Sequence, residues 1–113
     1  MPFITLKTNK SISKESEVNI KSKLGEAIKI IGKTESWLMI NFEDNQKMYF
    51  RGESSFDMAF VSVDLYGSAS KSSYNLMTEE ITNILKDELE IESDKIYVKY
   101  GEIENFGYNG RNF

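Results

Sequence analysis

The chain has 113 residues, of which 40% are hydrophobic and 28% charged, and this predicts one globular domain over residues 1–113. The net charge is −4 with no basic cluster, so we expect no nucleic-acid partner. The chain contains no cysteine and no histidine, which excludes disulfides and thiolate chemistry and argues against a metal site. We therefore expect no metal and no cofactor. Acid–base chemistry near pH 7 must then use a perturbed side chain or the amino terminus.

The first half of the chain begins with an alternating stretch and an amphipathic one. Residues 2–8 alternate and predict a strand headed by Pro2, the only proline. Ser13 predicts a helix N-cap, and Gly32 predicts the end of that helix. The apolar residues between them recur at helical spacing: Ile20, Leu24, Ala27, Ile28 and Ile31.

Lys33 lies in the loop that leads to a second predicted strand at residues 37–42. Asp44-Asn45 predicts a turn into a short return strand at residues 48–50, followed by a polar loop at residues 51–56.

The second half repeats this order of elements. Residues 58–63 are apolar almost without interruption, which is typical of a strand covered on both faces, and the strand ends at Tyr66-Gly67. Residues 96–100 predict a further strand, and Asn109-Gly110 predicts a tight turn in the tail. Between them a second helix carries apolar residues at helical spacing: Met77, Ile81, Ile84, Leu85 and Leu89.

The order of elements predicts an α+β fold. Two βαβ units of the split, ferredoxin-like kind would form a four-stranded sheet, with short extra strands. Right-handed crossovers place both helices on one face of that sheet. The other face then has nothing in the same chain to cover it. We expect it to be apolar and to pack against another subunit.

Pro2 is the candidate catalytic residue. If Met1 is removed, the Pro2 nitrogen becomes a free secondary amine, and burial would lower its pKa because desolvation disfavours the ammonium. A proline after the first methionine is more often only tolerated there. Because the chain has no histidine, the Pro2 amine becomes a stronger candidate for the general base.

Several short motifs carry a resemblance through their order and spacing: Met1-Pro2, Thr8-Asn9, Gly32-Lys33, Met48 and Phe50 with Gly52 and Ser54, Tyr97, and the tail from Gly107 to Phe113. Over essentially its whole length the chain resembles the macrophage migration inhibitory factor and D-dopachrome tautomerase family, within the tautomerases that have an amino-terminal proline. The resemblance implies a homotrimer whose three sheets wrap into a central barrel, with an active site at each subunit interface. It implies keto–enol tautomerisation of small α-keto acids such as phenylpyruvate, or of dopachrome-like compounds.

The resemblance also implies a role for individual residues. The Pro2 amine would be the general base, and Lys33 would bind the substrate carboxylate. Tyr66 stands where the family binds substrate through a backbone N–H, and Tyr97 of a neighbouring subunit would line the pocket and donate a hydrogen bond. The implied aromatic wall consists of Trp37, Phe106, Tyr108 and Phe113.

Three positions of this chain depart from the family pattern. Lys99 replaces the asparagine of vertebrate members and adds a positive charge at the pocket rim, where it is a further substrate-binding candidate. Phe106 and Tyr66 are larger than the usual residues, so the pocket is expected to be narrower or differently shaped.

Each candidate also has a purely structural explanation. Lys33 suits the negative end of a helix dipole, and Tyr97 would pack well on a sheet face. The aromatic residues of the tail could simply attach it to a partner subunit.

Two functions from different classes remain open. The first is a tautomerase that acts on small enolisable acids. The second is a signalling protein recognised by a cell-surface receptor, in which the pocket is vestigial or serves as a binding surface. No stretch is long and apolar enough for membrane insertion, and the amino end does not have the features of a signal peptide. We expect a cytoplasmic protein, with secretion by a route that needs no signal peptide as the alternative.

Overall fold

A computed structural model describes residues 1–113. The regular elements in chain order are β1 (Pro2–Thr8), α1 (Lys14–Ala27), β2 (Met39–Glu43), β3 (Ala59–Tyr66), α2 (Lys71–Leu89), β4 (Ile96–Ile103), β5 (Gly107–Tyr108) and β6 (Arg111–Asn112). Three short 3-10 helices span Ile28–Ile31, Glu35–Trp37 and Ser93–Lys95. No helix combines the length and the apolar character needed to cross a membrane.

The four long strands form one sheet in the order β2-β1-β3-β4. The outer pairs, β1–β2 and β3–β4, are parallel, and the central pair β1–β3 is antiparallel. The predicted α+β class, with two βαβ units, four strands and two helices, is confirmed. The units are not split, however, because the two strands of each unit are direct neighbours with no strand inserted between them.

The predicted start and end of the first helix are confirmed. The Ser13 hydroxyl accepts a hydrogen bond from the Ser16 backbone N–H at 3.1 Å, which satisfies one of the free donors of the first turn. After Ala27 the helix tightens into the 3-10 segment, which ends at Gly32 in the left-handed conformation with φ 76°. This end directs Lys33 away from the helix axis and towards the sheet.

The hydrophobic core lies between the helices and one face of the sheet. Every apolar residue that helical spacing assigns to the two helices is buried. They pack against Ile4, Leu6, Val61 and Val63 of the central strands in one cluster of buried residues. Burying each such side chain contributes about 1.5–3 kcal/mol.

The opposite face of the sheet differs from the prediction. Residues of β3 alternate between buried and half-buried, so the chain itself covers only one side of this strand. The open side carries Phe60 and Tyr66 together with the polar Ser62 and Asp64. The predicted apolar character of this face is therefore wrong, because the apolar run contributes only every second residue to it.

The connection between the two units also differs from the prediction. Residues 48–50 form no return strand, and the only pairing there is an isolated bridge between Phe50 and Glu53. The strand predicted from residue 37 begins at Met39, since Glu35–Trp37 form a 3-10 turn. The predicted Asn109-Gly110 turn is confirmed: both residues have positive φ, as a tight hairpin turn between β5 and β6 requires.

Replacing Leu24 by alanine tests the position of the core. Leu24 is only 2% exposed, so Leu24→Ala should lower the free energy of unfolding by about 2–5 kcal/mol through lost burial and a cavity. Val18 lies on the same helix and is 45% exposed, so Val18→Ala should change the free energy of unfolding by less than about 0.5 kcal/mol. Urea denaturation at equal protein concentration measures both. Similar losses in the two variants would contradict this placement.

Candidate active site

Pro2 is buried at the beginning of β1, in the lining of a cleft of about 480 Å³. Three residues of the predicted aromatic wall, Trp37, Phe106 and Tyr108, line the same cleft. The remaining lining comes from Met1, Phe3, Ser36, Leu38, Met39 and Gly107. The cleft is thus mainly apolar and has the proline in its wall.

Three separate parts of the chain form this cleft. The 3-10 turn before β2 presents Trp37, and the parallel pairing of β1 with β2 sets Met39 beside Phe3. The tail hairpin supplies Tyr108, whose ring meets the ring of Trp37 edge to face, with centroids 5.0 Å apart. Such aromatic contacts stabilise by about 0.5–1.5 kcal/mol beyond the buried area, so they help to hold the tail in place.

Lys33 is half-buried next to the end of β3. Its ammonium donates a hydrogen bond to the backbone carbonyl of Tyr66 at 2.9 Å. Lys33 forms no ion pair with any carboxylate. An ammonium has three donors, so two remain for a ligand. A partly buried cation without a counter-charge favours an anionic ligand.

Met1 contacts Tyr66 and lies near Lys33. The Met1 carbonyl oxygen accepts a hydrogen bond from the Tyr66 backbone N–H at 3.2 Å. The pKa of the Met1 amine is lowered from its ordinary value, first by desolvation and second by the nearby positive charge of Lys33. The environment at this end of the sheet therefore disfavours a charged amine.

Phe113 connects the Lys33 side of the site with the aromatic wall. Its ring meets the rings of Tyr66 and Tyr108 edge to face, with centroid distances of 5.8 and 6.3 Å. Its backbone N–H donates to the Phe106 carbonyl at 3.0 Å, which closes the tail hairpin. The structure thus brings seven of the nine predicted site residues to one end of the sheet: Pro2, Lys33, Trp37, Tyr66, Phe106, Tyr108 and Phe113.

The other two predicted residues, Tyr97 and Lys99, lie elsewhere in the chain. Tyr97 pairs with Phe60 near the beginning of β3, whereas Pro2 pairs with Leu65 at its end. The Tyr97 side chain is 60% exposed, and its ring meets that of Phe50 at 5.3 Å. Lys99 is exposed on the same open face of the sheet. Within one chain, neither residue lines the Pro2 cleft.

Some residues of the cleft were not predicted from the sequence. Phe3, Leu38 and Met39 line it because β2 pairs with β1 in a particular register. The only signal available was the adjacency of Phe3 to Pro2, since the register depends on contacts distant in sequence. No group of carboxylates is arranged to hold a metal ion.

Comparison with known proteins agrees with this geometry. The family profile described as Macrophage migration inhibitory factor (MIF) matches residues 1–113, and the chain belongs to this family. It is 29% identical to a macrophage migration inhibitory factor homolog of Brugia malayi, over 100% of this chain and 99% of the relative. The structure is similar to that of MIF2 from Leishmania major, with 30% identity, a TM-score of 0.93, and coverage of 100% of this chain and 97% of that one.

The homologue from Prochlorococcus marinus is 20% identical, with a TM-score of 0.88 and 98% coverage of both chains, and shares the fold. Membership of the family supports a tautomerase-like or cytokine-like function.

The charge of Lys33 should help to lower the pKa of the Met1 amine. In protein that retains Met1, Lys33→Met should raise the pKa of the Met1 amine, because it removes a nearby positive charge while burial remains. NMR titration of the Met1 Cα in protein with labelled methionine measures this pKa. Lys29→Met is the control, since Lys29 is exposed and pairs with Glu26. Equal pKa values in the two variants would contradict the assigned cause.

Proposed function

We propose that this chain is a keto–enol tautomerase for small enolisable 2-oxo acids, with the amine of Pro2 as general base after removal of Met1. The observation that carries the proposal is a buried Pro2, directly after Met1, in an apolar cleft near a lysine with no counter-charge. The proline nitrogen supplies the base, and the lysine supplies affinity for the acid.

The contacts of Met1 support this proposal. Its carbonyl oxygen accepts from the Tyr66 N–H, and its amine lies close enough to Lys33 to feel that charge. Removal of Met1 would therefore free the Tyr66 N–H, next to the Lys33 ammonium, which already has two donors unoccupied. A carboxylate oxygen of the substrate is an acceptor of the same kind as the Met1 carbonyl and carries more charge. We propose that it takes the place of that carbonyl.

The electrostatics favour a neutral base in the processed chain. The causes that lower the pKa of the Met1 amine, burial and the charge of Lys33, would act on a Pro2 amine next to the same residues. A neutral secondary amine can accept the proton on the carbon adjacent to the substrate carbonyl. The electrons of the broken C–H bond form a carbon–carbon double bond, the carbonyl π electrons move onto the oxygen, and return of the proton to that oxygen gives the enol. Apolar walls exclude competing water and hold this carbon at the amine.

The aromatic wall favours an aryl substituent on the acid. Trp37 and Tyr108 are about half exposed in the cleft, so their faces are available to a flat apolar group. With the carboxylate at Lys33, this points to phenylpyruvate-like acids, and to dopachrome-like compounds as a second group.

We further propose that the working form is a homotrimer. Tyr97 lies near the opposite end of β3 from Pro2, and Lys99 lies opposite Ser62 in the middle of that strand. Neither lines the Pro2 cleft of its own chain, so we propose that they reach the cleft of another subunit. The exposed aromatic side chains of Tyr49 and Tyr97, and exposed Met39, are consistent with a contact between copies. In such a contact the Tyr97 hydroxyl would donate to the substrate carbonyl oxygen.

A role as a secreted, cytokine-like signalling protein is the second candidate, supported by the family to which the chain belongs. It does not exclude the enzyme. Pro2→Gly separates the two, because it replaces the rigid secondary amine of the proposed base by a flexible primary amine at a buried position. Receptor binding that survives in a variant without turnover would assign the two functions to different surfaces.

Protein whose measured mass shows removal of Met1 should tautomerise phenylpyruvate, as followed by the absorbance of the enol. Pro2→Gly should lower kcat by about 100- to 10,000-fold, the usual contribution of a general base. Protein that retains Met1 should be inactive, because its Pro2 nitrogen is an amide. Turnover by the processed chain that persists in Pro2→Gly would contradict Pro2 as the base. No turnover by the processed chain would contradict the proposed enzyme.

A further inference from the structure

A second set of contacts involves the loop of residues 67–70, which follows Tyr66 and joins β3 to α2. The loop turns at Gly67 with φ 91° and ends at Ser70, the N-cap of α2. The Ala69 backbone N–H donates to the Tyr74 hydroxyl at 3.1 Å. This hydrogen bond ties the middle of the loop to the first turn of the helix.

Glu102 completes the contact from the sheet. The Tyr74 hydroxyl donates to the Glu102 carboxylate at 2.5 Å. An ionised carboxylate can only accept, so it directs the hydroxyl hydrogen towards itself and leaves a lone pair for the Ala69 N–H. Glu102 lies opposite Leu65 in the pairing of β3 with β4, one residue from Tyr66. The carboxylate is therefore fixed by the same strands that carry Tyr66.

The ring of Tyr74 is held independently of its hydroxyl. It packs on the ring of Tyr100 with centroids 4.5 Å apart, and the Tyr100 hydroxyl donates to the Tyr74 carbonyl at 3.2 Å. The Tyr100 hydroxyl also hydrogen-bonds with Thr78. Tyr100 touches the helix but makes no hydrogen bond to the loop, so it offers a matched control within the same helix–strand contact.

We propose that Tyr74 and Glu102 are positioning residues: they hold the loop of residues 67–70 and so direct the Tyr66 carbonyl at the Lys33 ammonium. The inference rests on the proposed function, in which Lys33 binds the substrate carboxylate. Neither residue lines the Pro2 cleft. They act on the ligand only through the loop. The Tyr66 carbonyl fixes one N–H of the Lys33 ammonium, and this hydrogen bond sets the direction of the other two N–H groups.

The position of Gly67 agrees with a close fit between loop and lysine. A Cβ built at Gly67 would lie 3.5 Å from the Lys33 Nζ. A loop that relaxes would let the ammonium sample more rotamers, and ordering it again would reduce the affinity for a carboxylate. Loss of the Tyr74 hydroxyl should thus raise KM much more than it lowers kcat.

Tyr74→Phe keeps the ring contact and removes both hydrogen bonds of the hydroxyl. In protein without Met1, it should raise KM for phenylpyruvate about three- to tenfold, the usual effect of one or two hydrogen bonds. The dissociation constant of 3-phenylpropanoate, a carboxylate with no ketone, should rise by the same factor. Trp37 is the only tryptophan and lines the cleft, so its fluorescence reports this binding. In a Lys33→Ala background, Tyr74→Phe should not change the dissociation constant of 3-phenylpropanoate any further.

Three further variants guard against a purely structural explanation. Tyr100→Phe should leave KM and the dissociation constant unchanged even where it lowers stability. Glu102→Ala should resemble Tyr74→Phe, and Glu102→Gln should retain more affinity because its amide oxygen still accepts. An effect of Tyr74→Phe that persists without Lys33, or an equal effect of Tyr100→Phe, would overturn the inference.

The outcomes for the inference and for the proposed function are distinguishable. Absence of turnover in the wild-type chain contradicts the tautomerase, while carboxylate binding still tests the positioning role. Turnover that is the same in wild type and Tyr74→Phe contradicts the positioning role alone. Absence of both turnover and binding overturns both.

Discussion

The arrangement of Met1 and Lys33 at the candidate site depends on the backbone of Tyr66. Its carbonyl accepts from the Lys33 ammonium, and its N–H donates to the Met1 carbonyl. Because both partners meet at the last residue of β3, an amino terminus and a lysine are held side by side at the edge of an apolar cleft. Two positive groups would repel in such a place, and the lowered pKa of the Met1 amine reflects that conflict together with burial.

The fold stabilises this arrangement from several directions. The left-handed turn at Gly32 directs Lys33 to the sheet, and the positive φ of Gly67 lets the chain leave β3 close to that ammonium. The tail closes over the site through edge-to-face aromatic contacts from Tyr66 to Trp37. Each aromatic contact contributes only about 0.5–1.5 kcal/mol beyond its buried area, so the closure of the tail depends on their combination.

The sequence predicted the features that local chemistry decides. The Ser13 cap, the end at Gly32, the apolar faces of both helices and the Asn109-Gly110 turn need only neighbouring residues. The unsplit units were not predicted, because strand order depends on distant contacts. The mixed open face was missed because a strand contributes only every second residue to each face. The predicted return strand at residues 48–50 also needed a pairing partner, and the only pairing there is the isolated bridge between Phe50 and Glu53. The same holds for the candidate site. The Gly32-Lys33 and Tyr66-Gly67 motifs could be recognised in the sequence, but the place of Met39 in the cleft lining could not.

The pH dependence of kcat/KM for phenylpyruvate, in protein without Met1, tests the central claim most directly. A neutral Pro2 amine is required, so kcat/KM should rise with pH and level off above the pKa of that amine. The account predicts a midpoint below the ordinary α-amino range of about 7.7–8.0, moving upward in Lys33→Met. A midpoint within or above that range, or one that does not move when Lys33 loses its charge, would contradict it.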